Sequence, residues 1–180
     1  MMELHIWGPA FGLPSIDPEC LAAIAYFRCI PDLNPRSPTP KPWRIVPSSN
    51  PLLSPTRTLP ALRDEHVWIG GGFNGVVEYL RKKSGGEWDL DMDLRGESAN
   101  ERHVAYSSFI RSRLGSLLDI SLYVSEVNYA SATRPEYSKR GMLPWPVQYY
   151  VPGEKRAQAW ERCEEVLRKY GLGAADVDQI

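Results

Sequence analysis

Apolar and polar positions change period several times along the chain, and each change marks an element. "ELHIW", Glu3 to Trp7, alternates in the strand manner and stops at Gly8 and Pro9. After the loop "GPAFGLPSI", Asp17 followed by Pro18 predicts a helix start, because the carboxylate caps free N–H groups and proline fits the first turn. Leu21, Ile24, Ala25 and Phe27 carry that helix to about Cys29, and Pro31 ends it. Nine prolines between Pro31 and Pro60 forbid helix there and leave room for one short edge strand, Trp43 to Val46. "TLPAL" and "HVWIG", joined by the polar "RDE", predict a hairpin, and a helix follows from Phe73 to about Lys83 with Val76, Val77 and Leu80 on its apolar face.

The second half has a helical period. Ser98 with Glu101 makes a capping box for a long helix to about Val127, whose "LLDISLYV" is apolar around most of its circumference and is expected to be largely buried. "NYASATRPEY" predicts a break, with a short helix opening at Pro135 after Thr133. The "PWP" of Pro144 to Pro146 and "YYVPG" predict a rigid connection. The last helix, Glu154 to Tyr170, carries Trp160, Cys163, Leu167 and Tyr170 at three- and four-residue spacing and ends at Gly171. "GLGAADVDQI" stops in mid-pattern, so a longer protein is expected.

The first half therefore reads β-α-β-β-β-α with its last two strands antiparallel, the order of a thioredoxin-like domain, in which Pro60 is a cis-proline candidate. A thioredoxin-like unit followed by an all-helical one is the arrangement of the glutathione transferase fold, α/β plus all-α. The expected boundaries are 1–86 for the thioredoxin-like domain, 87–97 for a linker rich in Gly, Glu and Asp, and 98–180 for an incomplete helical domain.

Composition narrows the function classes. With 180 residues, 43% hydrophobic and 24% charged, the chain has the make-up of a globule with a real core. A formal net charge of -1 with dispersed basic residues gives no footprint for nucleic acid or for an anionic membrane surface, so membrane attachment is expected to come from a partner or from sequence outside this chain. Cys20, Cys29 and Cys163 are odd in number and form no C-x-x-C, so they read as buried thiols in a reducing compartment. The start "MMELHIWG" has neither a basic nor an apolar leader region, and no apolar stretch approaches the length of a membrane span.

"GGGFNG", Gly70 to Gly75, spells the G-x-G-x-x-G of dinucleotide-binding turns. That fingerprint works inside a βαβ unit, and "SGGEWDLDMDLRGESANERH" after it holds no second strand. A backbone turn is the reading that remains. Asp89, Asp91 and Asp93 stand at calcium-loop spacing, but Leu94 replaces the glycine and Asn100 the glutamate that such a loop requires, so a solvated linker is expected. His5, His66 and His103 have no partners at metal-ligand spacing, and Asp119 in its apolar surroundings needs a hydrogen-bond partner or solvent. Pro35 and Pro38 form a PxxP, either a ligand for a proline-binding groove or a connection crossing the surface.

Five strings in order, "WGPAFGLPSID", "TLPALR", "DLDMDL", "NYASATRPEY" and "PWPVQYYVPG", resemble the metaxin family over roughly residues 3 to 170. The proline-rich insert and the Trp-Gly-Pro-Ala-Phe start look most like the fungal metaxin-like receptor subunit of the mitochondrial sorting and assembly machinery. The loop between residues 31 and 57 is longer than the common metaxin pattern. The resemblance implies a transferase fold without transferase activity or cofactor, on the cytosolic face of the mitochondrial outer membrane. It implies as partners a β-barrel insertase subunit and a sister metaxin-like subunit, together with β-barrel precursors and the outer-membrane translocase.

The residues can be tested against the enzyme alternative. A glutathione transferase needs a hydroxyl or thiol after the first strand, where this chain offers only Ser15, which reads rather as an extra cap near Asp17. It also needs an acid-serine pair where "GGGFNG" stands, and the glycines supply N–H groups able to hold an anion weakly but no carboxylate. Trp7, Phe11, Trp43, Trp145, Tyr149 and Tyr150 lie in or beside proline-bounded segments and are the candidate protein-contact residues, with interdomain packing as the competing use of their surface.

Overall fold

The computed structural model of the chain describes residues 1–34, 41–90, 105–139, 143 and 145–178. The capping box, His103, the PxxP prolines, Asp91 and Asp93 fall outside them. The chain divides into two compact units, Met1–Asp93 and Leu94–Ile180.

The first unit is a four-stranded mixed sheet with two helices. Its strands are β1 (Met2–Ile6), β2 (Trp43–Pro47), β3 (Ala61–Asp64) and β4 (Val67–Ile69), and its helices are α1 (Pro18–Cys29) and α2 (Gly72–Lys83). The spatial order is β2-β1-β3-β4. β1 runs parallel to β2 and antiparallel to β3, which pairs antiparallel with β4. Asp17 caps α1 by accepting from the Cys20 N–H at 3.0 Å, with Pro18 in the first turn. β2 is an edge strand, which is where its flanking prolines can be tolerated. The Leu59–Pro60 bond is cis. The hairpin turn comes one step later than the sequence predicts: Arg63 and Asp64 stay in β3, and Glu65 and His66 turn, with Glu65 at φ 53.

Period-two alternation sets the two faces of the sheet. Register places Leu4 between Ile45 and Leu62, and Leu4, Ile6, Leu62, Phe27, Val76 and Leu80 are all buried where α1 and α2 pack. Glu3 faces Arg44 and Arg63 across the ladder. Its carboxylate accepts from both guanidinium groups, and Arg44 above all holds it below its ordinary value. On that face the His5 ring lies 4.7 Å from Trp68. Asp64 ties β3 to α2: it accepts from the Tyr79 hydroxyl at 2.7 Å and from Lys83. Burial raises its carboxyl, but Lys83 and Tyr79 outweigh burial and hold it below its ordinary value. Burial first, then Asp64, pushes the Tyr79 hydroxyl up to about 12.

The second unit is helical among its described residues. A run from 105 to 124 contains wide turns, such as the Gly115 N–H donating to the Ile110 carbonyl five residues back. It breaks at Ser125, whose hydroxyl accepts from the Asn128 N–H at 3.2 Å and so caps a second run, 126 to 138. The sequence places this break at "NYASATRPEY"; that segment is helical instead. A wide turn at Tyr129–Thr133, where the Arg134 N–H reaches back to the Tyr129 carbonyl, leads into the Pro135 ring and its missing donor without ending the helix. Asp178 closes the same break from the far end of the unit. Its carboxylate accepts from the Ser125 hydroxyl at 2.7 Å and the Glu126 N–H at 3.2 Å.

The long helix Val151–Lys169 begins three residues before its predicted start, because Pro152 fits a first turn as well as it fits a loop. Its Cys163 and Leu167 pack on Val124 and Ile120. That contact covers one side of the 105–124 run, and the expectation that "LLDISLYV" is largely buried fails. Tyr123 and Val124 are buried, while Leu117 and Leu118 are exposed.

Candidate functional site

On the transferase-like arrangement expected from the sequence, the glycine turn and the end of β1 would hold a peptide ligand, so the groups there decide what can bind. Gly71 and Gly72 have φ of 89 and 62, the left-handed region that side chains rarely adopt. Gly75 is required by close approach: a Cβ there would stand 2.0 Å from the Gly70 carbonyl oxygen. The glycines thus let the chain pass close to itself.

Two donors of the turn are engaged by side chains. The Gly71 N–H donates to Thr56 Oγ1 at 2.7 Å, and that hydroxyl also bonds those of Thr58 at 2.8 Å and Ser54 at 3.1 Å. The Phe73 N–H donates to Glu19 Oε2 at 3.3 Å. The sequence reading of free N–H groups with no carboxylate nearby is corrected: Glu19, in the first turn of α1, brings its carboxylate to the first turn of α2 from 54 positions away. A carboxylate at a helix N-terminus is favoured by the unsatisfied donors and the helix dipole. An acidic residue in a first turn signals capping of its own helix, and nothing in the sequence marks the second helix it serves.

Ser15 is 1% exposed, and its hydroxyl accepts from the Asp17 N–H at 3.2 Å. This is a serine turn leading into the helix, whose cap is Asp17 itself. Burial and the Asp17 charge push the buried Cys20 thiol well above its ordinary value. The Cys163 thiol is raised by burial and donates to the Ser116 carbonyl at 3.7 Å. A thiolate is the reactive form of cysteine, and these two environments oppose it. Among the described residues no group of three or more His, Cys, Asp or Glu could hold a metal ion. Asp89 is paired with Arg81 at 2.9 Å, and Asp119 accepts from Arg162 through both oxygens at 2.8 and 2.9 Å.

The six aromatic contact candidates separate into two groups. Trp7 is 2% and Trp43 6% exposed. The Trp43 indole donates to the Leu33 carbonyl at 3.0 Å, and its ring lies 4.8 Å from that of Phe27. These two are core residues, and surface contact through them is withdrawn: alternation turns Trp43 to the same face as Leu4 and Met2. Phe11, Trp145, Tyr149 and Tyr150 are exposed, Trp145 to 77%. The last three lie on one short stretch leading into the long helix, where the Tyr150 N–H donates to the Val147 carbonyl.

A small mixed four-stranded sheet with two helices, joined in sequence to a helical unit, places the chain among α/β-plus-helical proteins. Comparison with known proteins supplies the family. Residues 20–156 match the Tom37 family model, described as an outer mitochondrial membrane transport complex protein. The chain is 31% identical over 163 residues, 91% of its length, to Metaxin-1 of Macaca fascicularis, and 30% identical over 163 residues to Metaxin-1 of Homo sapiens. It is 29% identical over 162 residues to Metaxin-3 of Xenopus laevis. This chain belongs to the metaxin family, whose members are proteins of outer mitochondrial membrane transport. It spans 47% of the macaque and frog proteins and 32% of the human one.

Proposed function

We propose that this protein is a non-catalytic, cytosol-facing subunit of the sorting and assembly machinery of the mitochondrial outer membrane. On a glutathione-transferase-like framework, a thioredoxin-like domain followed by a helical one, it docks onto a β-barrel insertase and a sister metaxin-like subunit and assists precursor insertion or release by binding. The observation that supports this reading is at the glycine turn, where Thr56 and Glu19 take the Gly71 and Phe73 N–H groups at the start of α2. The exposed aromatic stretch Trp145, Tyr149 and Tyr150 supports docking through buried aromatic anchors, the residue types that dominate interface energetics.

Affinity purification of the tagged protein from solubilised outer membranes tests the proposal. An insertase barrel is expected to co-elute, and Trp145→Ala with Tyr149→Ala to lower its recovery by about tenfold or more. Retention on immobilised glutathione that Ser15→Ala abolishes, with no barrel recovered, would replace this reading with an enzymatic one.

A further inference from the structure

Helix α2 closes with a complete C-terminal turn. The Gly85 N–H donates to the Lys82 carbonyl at 3.2 Å and the Gly86 N–H to the Arg81 carbonyl at 2.9 Å, which satisfies carbonyls the helix would otherwise leave open. Both glycines lie in the left-handed region, at φ 64 and 96, so the chain turns sharply there. Residue 88 comes against α1 and the short turn that follows it.

Trp88 makes two of the three side-chain tethers that hold this segment. Its carbonyl accepts from the Tyr26 hydroxyl at 2.5 Å, and its indole N–H donates to Asp32 Oδ2 at 3.0 Å, the two partners standing 62 and 56 positions away. Asp89 makes the third, pairing with Arg81 at 2.9 Å back across the glycines. Inside the segment the Trp88 N–H donates to the Ser84 hydroxyl at 2.9 Å, and the Asp89 N–H to the Gly86 carbonyl at 3.1 Å. Tyr26 is buried, and its ring meets that of Phe73 edge-on at 6.1 Å, so packing fixes the anchor on α1. Burial also raises the Tyr26 hydroxyl, which keeps it a donor.

Polar contacts dominate what holds the segment. Trp88 is half-buried, and Leu90 beyond it is exposed. The sheet and its helices are held instead by fully buried Leu4, Phe27, Leu62 and Leu80. One hydrogen bond changes an opening equilibrium by about two- to twelvefold, so three tethers hold a segment far less firmly than such a core holds a strand. Segments of this kind open locally while the rest stays folded.

We propose that residues 84–89 form a latched strap, hinged at Gly85 and Gly86 and fastened by Tyr26, Asp32 and Arg81, that opens as one piece while the sheet, α1 and α2 stay folded. Closed, it sets the chain's exit from the first unit beside the end of α1; open, it moves that exit to the end of α2.

Hydrogen exchange of the purified protein, read by mass spectrometry on peptides covering 84–89 and 2–6, tests the strap. Residues 84–89 are expected to exchange more slowly than an unstructured peptide of the same sequence and about a hundredfold or more faster than β1. Tyr26→Phe with Asp32→Ala is expected to speed them about tenfold or more and to leave β1 unchanged. Trp88→Phe keeps an aromatic ring and loses the indole N–H. That variant and Asp32→Ala should each speed exchange about two- to twelvefold, and together no more than either alone, because both remove the same bond. Exchange of 84–89 at the free-peptide rate leaves no latch, and exchange at the rate of β1 leaves no separate opening; either overturns the proposal. So do unchanged rates in the Tyr26 and Asp32 double variant, or a β1 that speeds up together with 84–89 in Trp88→Phe.

Discussion

In the first unit Leu4, Phe27 and Leu62 are sealed between sheet and helices, and the Gly71 and Phe73 N–H groups of the glycine turn end on side chains of the same unit. In the second, one side of the 105–124 run packs on the long helix while leucines and aromatics on the other side meet water. Similar apolar content thus serves two ends. The first unit buries its hydrophobic surface within itself, and the second leaves a share of it exposed among the described residues.

Substitutions in matched pairs across the two units would break this contrast or sharpen it. Phe27→Ala, at a fully buried ring, is expected to destabilise by about 3–5 kcal/mol in urea unfolding, whereas Leu117→Ala, at an exposed side chain of the 105–124 run, should stay within about 0.5 kcal/mol. Gly75→Ala comes next at roughly 3 kcal/mol, since its Cβ meets a carbonyl oxygen that belongs to backbone and cannot rotate away. Equal losses at Phe27 and Leu117 would mean that Leu117 is covered in solution.

Asp64 gives a smaller, pH-dependent effect. Its folded carboxyl lies below the ordinary value, so its contribution is fully present above a pH of about 4 and is lost as pH falls through the lower folded value. Asp64→Asn is expected to cost about 1–2 kcal/mol at neutral pH and to flatten the acid side of the stability profile measured by thermal melts. Glu19→Gln should be smaller still, about 1 kcal/mol, as for other lost caps, and should leave the protein without affinity for glutathione in a calorimetric titration.

Where the sequence carries punctuation, the structure was legible in it. Gly8-Pro9, Asp17-Pro18, Pro31, Pro60 and the Gly70–Gly75 turn mark ends of β1, α1, β3, β4 and α2 to within a few residues, because each acts on the backbone beside it, while the proline-rich stretch expected to exclude helix holds short 3-10 helices at Pro31–Leu33 and Pro51–Leu53. Helical periodicity in the second unit reports which residues share a face, yet it says nothing about whether that face is covered, so Leu117 and Leu118 read as buried. The break fell at Ser125 and not at Asn128 because it depends on a serine cap and on a carboxylate at Asp178, a contact no local pattern announces. Of the candidate site, the tight turn was readable at "GGGFNG". Glu19, which fills the turn, was not, since the link from α1 to α2 exists only after folding. Trp7 and Trp43 show the reverse: proline-rich surroundings suggest surface, and pleat direction turns Trp43 inward.

Asp178 fastens the final turn of the described chain to a joint more than fifty residues upstream, so the helical unit is buckled like a belt. A purification tag or fusion partner joined at that point would pull on the buckle, and one joined ahead of Met2 would leave it undisturbed.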